Sequence, residues 1–381
     1  MSPRLNILFI TSWFPNKTNI TVGNFIKRHA QALSTHSNIS IIFVSKSSNI
    51  KSRFILEEEI QENLSISIMY YKKVNSGFSL LNKLLNSYFH FKAYCLLFKQ
   101  LKNKPDLVHA NIVWPIGLFA IWLKIKYKLN FILTEHWSAL SKRSNFNPFK
   151  RWIISKIFKH AHQIITVSES LKEDLLKWNS NLDILVISNI VNTDYFFFQE
   201  KTENNIFRWI HISSLSDIKN GEGIIRAFQK LVLFDKKNHL NIISNGDFSQ
   251  IKQLISKLNI PKRNINLQGI SSHLEIAKLL KDSDACIQFS KNETFGIVTA
   301  EALCCGTPIL STQVGFLTEF KENEVGLFVK NEDENDLFEK MKMMRNTDFN
   351  KKISSQKFSK LFNSKKNSEL YSEIYRRNIT K

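Results

Sequence analysis

The chain has 381 residues, 43% hydrophobic and 23% charged, with a formal net charge of +20. That length exceeds one ordinary core and favours two domains, and the composition excludes a disordered chain. No run reaches the roughly 20 apolar residues of a membrane-spanning helix. The nearest, Ile112 to Leu123, is short and closed by Lys124.

Charge is distributed unevenly. Residues 1–190 hold 25 Lys and Arg against 10 Asp and Glu, whereas residues 191–381 hold 28 against 23. From Lys72 to Lys159, 16 bases meet only Asp106 and Glu135. Such a surface meets something anionic: lipid head groups, a phosphorylated acceptor or nucleic acid. Four cysteines (Cys95, Cys286, Cys304, Cys305) lack C-x-x-C spacing, so neither a zinc site nor a disulfide framework is expected. Reduced cytosolic thiols are the default.

In chain order, the opening Leu5 to Thr11 reads as a first strand; its apolar core is too short for a signal peptide and no A-x-A-like cleavage site follows. In the next segment, "WFPNKTNITVGNFIKRHA", Gly23 would let the backbone approach a phosphate or sugar closely. Further strands are expected at 39–45, 65–71, 106–110, 131–136, 163–168 and 184–189. Several are apolar throughout, as parallel strands covered on both faces are. Residues 76–105 contain no acid and interleave Leu, Phe and Tyr with Lys. As an amphipathic helix they either pack on their own domain or lie on an anionic membrane. "LTEHWS" places His136 at the carboxyl end of a strand.

The strand pattern restarts at 209–215, 240–246, 265–269, 285–290, 308–312 and 326–329. Two successive βα runs predict two doubly wound α/β, Rossmann-like domains facing a central cleft, with ligands at the carboxyl ends of the strands. The expected division is 1–192, 193–355 and a helical tail, 356–381, packing back on the first domain. The join falls within 192–205, where polar residues replace the strand pattern.

One stretch, "KNETFGIVTAEALCCG" (Lys291 to Gly306), carries chemistry. A strand ends before it, and a helix starting at "GIVTAEAL" stops near Gly306, with Pro308 preventing continuation. Amides around Phe295 to Val298 lie in the first turn, unpaired by the helix, where an anion such as a diphosphate is favoured. Glu293 and Glu301 flank those amides.

"ETFGIVTAEALCCGTPIL" resembles the donor-site signature of glycosyltransferase family 4, retaining enzymes of the two-domain GT-B, glycogen-phosphorylase-like architecture. "DLVHANIVWPIG", "LTEHWS", "IITVSESLKEDL", "VISNIVNTDYF", "NIISNGD" and "GLFV" follow that family's order and spacing along nearly the whole chain. The resemblance implies a nucleotide-sugar donor, with Glu301 on the ribose hydroxyls and Glu293 beside the donor sugar. Thr294, Phe295, Gly296, Ile297 and Val298 would then line the diphosphate. Carboxylates accept vicinal hydroxyls in bidentate fashion, and helix-start amides bind phosphate without a metal.

By the same resemblance Lys219 neutralises phosphate, whereas Ser214 stands where the family carries Arg. His136 lies near the donor sugar, and Gly23 is the one glycine kept of a usual pair. His136, Glu293 and Lys219 form the expected catalytic set. His109 is a rival read as structural, with Asp106 beside it ending a helix or fixing a turn.

No glycosidase-type carboxylate pair is evident, so retention implies a front-face displacement in which the leaving phosphate takes the acceptor proton. The implied function is a metal-independent hexosyltransferase without cofactor, serving cell-surface polysaccharide, lipopolysaccharide or glycolipid synthesis. Its acceptor would be a glycan or lipid-linked molecule, and its place cytoplasmic, peripheral on the cytosolic membrane face. No nucleic-acid recognition motif appears, so nucleic acid is not an expected partner. The alternative is a catalytically silent nucleotide-sugar-binding scaffold or partner subunit, which Ser214 and the single Gly23 favour.

Overall fold

The computed structural model describes residues 4–201, 205–269 and 272–379. Thr202 to Asn204 of the expected join, and residues 380–381 of the expected tail, lie outside the described residues. The chain divides into two compact units: one of residues 1–167, 171–190 and 365–381, the other of residues 168–170 and 191–364.

In the first unit the strands are β1 Asn6–Thr11, β2 Asn38–Ser47, β3 Phe54–Ile60, β4 Leu64–Lys72, β5 Leu107–Asn111, β6 Phe131–Glu135, β7 Gln163–Thr166 and β8 Ile184–Val186. They form one sheet in the order β3-β4-β2-β1-β5-β6-β7-β8. Every pair is parallel except β3 with β4. Every residue of β5 and β6 is buried, because helices cover both faces there. The antiparallel edge strand β3, "FILEEEI", is absent from the sequence expectation. Its three consecutive glutamates mask a strand pattern, yet at an edge with one exposed face charged residues are tolerated and discourage further pairing.

The second unit holds β9 Phe207–Ile212, β10 Asn238–Ile243, β11 Ile265–Gln268, β12 Ala285–Gln288, β13 Ile309–Thr312 and β14 Gly326–Val329. Their order is β11-β10-β9-β12-β13-β14, parallel throughout. Both sheets reverse their winding once, between β1 and β5 and between β9 and β12. Loops leave the carboxyl ends on opposite sides of such a switch point and open a crevice there.

The core of the second unit gathers Trp209, Phe228, Leu240, Ile287, Leu310 and Met341. In the first unit, Ile7, Phe9, Ile26, Leu107 and Ile132 pack with Tyr371 and Tyr375 of the last helix, Ser364–Asn378. Of the expected tail, the helix Lys351–Leu361 belongs to the second unit, and residues from Lys365 onward to the first. Asn367 Nδ2 donates to the Ser188 carbonyl at 3.0 Å. Tyr375 Oη lies 2.8 Å from His109 Nδ1, and His109 Nε2 lies 2.7 Å from Thr134 Oγ1. His109 is therefore a satisfied core histidine, and Asp106 ties β1 to the start of β5 by accepting from the Asn6 amide at 2.7 Å.

Burial lowers His29 and His136 to about 3, and holds His109 well below the usual imidazole range. His90 is lowered to about 4 by burial and by Lys46. A histidine kept neutral in the folded state contributes its full stability above the unfolded value near 6.5 and loses it as pH falls, because the unfolded chain then binds the extra proton. Glu135 opposes this: burial pushes it up to about 7, so its contribution weakens as pH rises through the same range. Four histidines outweigh one carboxyl, each worth about 1.4 kcal/mol per pH unit. The melting temperature should fall on acidification from pH 7 to pH 5. A flat or rising melting curve over that interval would show that these imidazoles are not buried and neutral.

Candidate functional site

The crevice of the second unit is built by the loops that leave β9 and β12. His211, the penultimate residue of β9, is fully buried, with Nδ1 2.8 Å from the Ile287 carbonyl of β12. That acceptor requires the proton on Nδ1, so Nε2 accepts from Ser213 Oγ at 2.7 Å. Ser213 Oγ in turn accepts from the Leu215 amide at 3.1 Å. Burial lowers His211 to about 4 and keeps the chain of bonds neutral. This relay sets the path of the loop that carries Ser214 and then Lys219, the last residue of a single 3-10 turn. The Lys291 amide donates to the Ile218 carbonyl at 2.7 Å and joins the two loops.

Here Lys219 Nζ pairs with Glu293 Oε1. The side chains are 25% and 17% exposed, so the pair is shielded but reachable. Ser290 Oγ donates to the same carboxylate oxygen at 2.8 Å, and Thr312 Oγ1 fixes Ser290 through its carbonyl at 2.6 Å. Ser290 was absent from the sequence expectation, although it closes the predicted strand 285–290 three residues before Glu293. A small cavity of about 60 Å³ lies beside the pair, lined by Gly296, Ile297, Val298 and Thr299 among others. Lys219 is the one cation among the described residues that line it.

The helix Ile297–Cys304 starts at Gly296, left-handed at φ 94°, with no side-chain cap. Glycine has no side chain to cap the first turn, and Gly296, Ile297, Val298 and Thr299 all border the cavity. Phe295 is buried and its ring packs 4.9 Å from Phe316, so it anchors the loop and offers only backbone. Thr294 is half-buried. A Cβ at Gly315 would lie 2.4 Å from the Phe295 carbonyl oxygen, which is why this neighbouring turn needs glycine.

The structure does not place both acids on one cavity. Glu301 is 3% exposed, turned inward on the helix, and is not among the described residues lining the space beside Glu293. Ser214 is exposed, and among the described residues its hydroxyl bonds to Ser216, Oγ to Oγ at 3.3 Å.

Gly23 and His136 both belong to the first unit. Gly23 is left-handed at φ 77°, and a Cβ there would lie 2.5 Å from the Trp13 carbonyl oxygen, so the loop's own backbone demands glycine. Phe25, just beyond it, packs 4.5 Å from the His136 ring. His136 follows β6 directly, 6% exposed, and neither ring nitrogen has a partner among the described residues. Glu135 sets its position. Fully buried, it accepts from the amides of His136 and Trp137 on Oε1 and of Val113 on Oε2, each at 2.8 Å. These bonds oppose the rise that burial imposes on it. Glu135 knits the loops after β5 and β6, and a carboxylate inside a strand pattern was the available signal for it.

Two family models match consecutive stretches of the chain: Glycosyltransferase Family 4 over residues 57–195, and Glycosyl transferases group 1 over residues 193–359. A relative in sequence is the N-acetyl-alpha-D-glucosaminyl L-malate synthase of Bacillus anthracis, 26% identical over 57% of this chain and 59% of that protein. Among solved structures, sucrose-phosphate synthase from Thermosynechococcus elongatus has a TM-score of 0.77 at 18% identity, covering 98% of this chain and 99% of that one. Anabaena HepE in complex with UDP-glucose has a TM-score of 0.72 at 15% identity, covering 98% and 100%. At these identities the structural likeness shows the fold, that of two parallel-sheet α/β domains of the GT-B kind.

Glu135→Gln tests the clamp beside His136. The amide replaces one acceptor by a donor facing another donor, which should cost about 2 kcal/mol of stability. An unchanged midpoint in urea unfolding would show that the three bonds do not hold these loops.

Proposed function

We propose that this chain, which belongs to the group 1 and family 4 glycosyltransferases, transfers a sugar from a nucleotide-diphosphate sugar to a glycan or lipid-linked acceptor. The product would be a cell-surface polysaccharide or glycolipid, made at a membrane face with retention of configuration. The observation that carries the reading is the Lys219–Glu293 pair beside an uncapped helix start, at the switch point of the second sheet.

The diphosphate sits on the amides of Ile297 and Val298 and draws Lys219 away from Glu293. Charge that develops on the leaving phosphate is met by the ammonium and the helix start, so the reading calls on no metal ion. Glu293, still held by Ser290, then faces the donor sugar. The family resemblance alone gives Glu301 the ribose hydroxyls; it is buried and does not line the cavity beside Glu293. Only the same resemblance assigns His136, neutral and with neither ring nitrogen bonded among the described residues, a sugar hydroxyl. The acceptor oxygen bonds to the anomeric carbon on the face from which the phosphate departs. Its proton passes to a departing phosphate oxygen, so no enzyme nucleophile is required. With Ser214 in place of a second cation, backbone amides carry more of the diphosphate charge.

UDP-glucose, the ligand of the HepE complex, is the first donor to try. Lys219→Ala should weaken UDP binding about tenfold by calorimetry, and Glu301→Gln should weaken it comparably. Glu293→Ala should leave nucleotide affinity nearly intact and lower turnover about 100-fold or more. A fully active Glu293→Ala enzyme, or UDP affinity indifferent to Lys219 and Glu301, would overturn the site. If a panel of nucleotide sugars binds without any donor hydrolysis or transfer, the chain is a scaffold.

A further inference from the structure

The helices Ser79–Lys99, Gly117–Tyr127 and Pro148–His160 are consecutive neighbours in one layer over the first sheet. Phe91 meets Phe119 and Trp122 edge-on at 5.6 and 5.3 Å. Lys124 Nζ donates to the His160 carbonyl at 2.8 Å. The inner side of the layer is ordinary core, with Tyr94, Leu97, Leu123 and Ile157 buried. The outer side is not ordinary surface.

On the first helix Leu81, Leu84, Tyr88 and Phe91 recur at intervals of three and four and are all exposed, Leu84 at 62% and Tyr88 at 56%. On the third, Phe149 and Trp152 are 70% and 58% exposed with their rings stacked. A soluble surface seldom leaves so many large apolar groups together in water. These three helices also contain nine Lys and Arg and no Asp or Glu. Among the described residues none of the nine has a carboxylate partner. Several lie over the aromatic rings instead: Lys92 over Tyr88, Lys126 over Trp122 and Lys156 over Trp152. No described helix is long and apolar enough to cross a bilayer.

We propose that this layer is a docking face for an anionic phospholipid bilayer, with the Leu84–Tyr88 stripe and the Phe149–Trp152 stack entering the head-group boundary. The lysines around them meet lipid phosphate. Apolar groups alone would suit a second copy of the chain or a protein partner, but nine bases without one acid oppose self-association and fit a surface of uniform negative charge. The inference deepens the transferase reading by naming where the membrane is met, and stands apart from donor binding, which belongs to the other unit.

The test is flotation of the full chain with vesicles of phosphatidylglycerol and phosphatidylcholine, against phosphatidylcholine alone. Binding should need the anionic lipid, and should weaken at least tenfold as salt rises and the screening length shortens below about 10 Å. Leu84→Ser with Trp152→Ser should weaken it about tenfold while the melting temperature and UDP affinity stay near those of the parent chain. Lys83→Glu with Lys92→Glu should abolish it. Absence of binding at low salt, equal binding to neutral vesicles, or a dimer in solution that these substitutions dissolve would each overturn the proposal. Because the parent chain alone decides the first two, a variant that fails to fold does not rescue it. Vesicle binding without UDP binding would separate failure of the donor site from failure of this face.

Discussion

The ion pair between Lys219 and Glu293 is the interaction on which the candidate site depends. It spans two loops from adjacent strands on either side of the point where the second sheet reverses, and no other charge contact joins those loops among the described residues. Both side chains keep some water contact, so the pair adds little to stability. What it provides is placement. On the proposed reading each charge is held where the donor would need it, and each is balanced in the meantime by the other. A diphosphate carries more charge than one carboxylate and competes for the ammonium. Glu293 then retains Ser290 and is left facing whatever is attached to the phosphate.

That placement is inherited from parallel strands and from one buried imidazole. All the strands of the second sheet end at the same edge, so every loop that could bind a ligand emerges there. The bond from His211 to the Ile287 carbonyl locks β9 to β12 at that edge, and the hydroxyl relay through Ser213 directs the chain toward Lys219. Protonation of His211 would put a donor opposite the Ser213 hydroxyl and turn the relay around. Burial prevents this across the neutral range.

The sheets were legible because parallel strands buried on both faces write themselves as short β-branched apolar runs, as "FILTE" and "ILST" do. Strand β3 was not, since an exposed edge can carry Glu57, Glu58 and Glu59 where a central strand cannot. At the site, the pairing of Glu293 with Lys219 was not read from the sequence, where they have separate roles on the donor sugar and the phosphates; two short loops leaving adjacent strands bring them together. Glu301 differs. Helix periodicity shows which way it faces but not how much of the neighbouring core closes over it, and the structure buries it. Contacts such as Tyr375 with His109, separated by 266 residues, leave no local trace in either segment. The return of the last helix to the first unit was expected of the tail as a whole, but not where it begins: the helix Lys351–Leu361 stays with the second unit and the chain joins the first from Lys365.

The two units also handle charge in opposite ways, and this bears on what each can meet. In the second unit several bases are answered by carboxylates of the same unit: Arg226 lies on Glu334 and Glu222, Lys340 on Glu322, and Lys357 on Glu324. Its surface is close to self-balanced, which leaves the field at the crevice to Lys219 and the helix start. In the three-helix layer of the first unit no base has a carboxylate partner among the described residues, and Lys92, Lys126 and Lys156 lie over aromatic rings. A cation over a ring gains far less than one beside a carboxylate and keeps most of its reach into solvent. A layer built this way holds its positive charge available for an outside partner, at the cost of repulsion between its own lysines. Only a partner of opposite sign and comparable breadth relieves that repulsion along the whole layer, which is the physical reason to look for an extended anionic surface rather than a single acidic ligand.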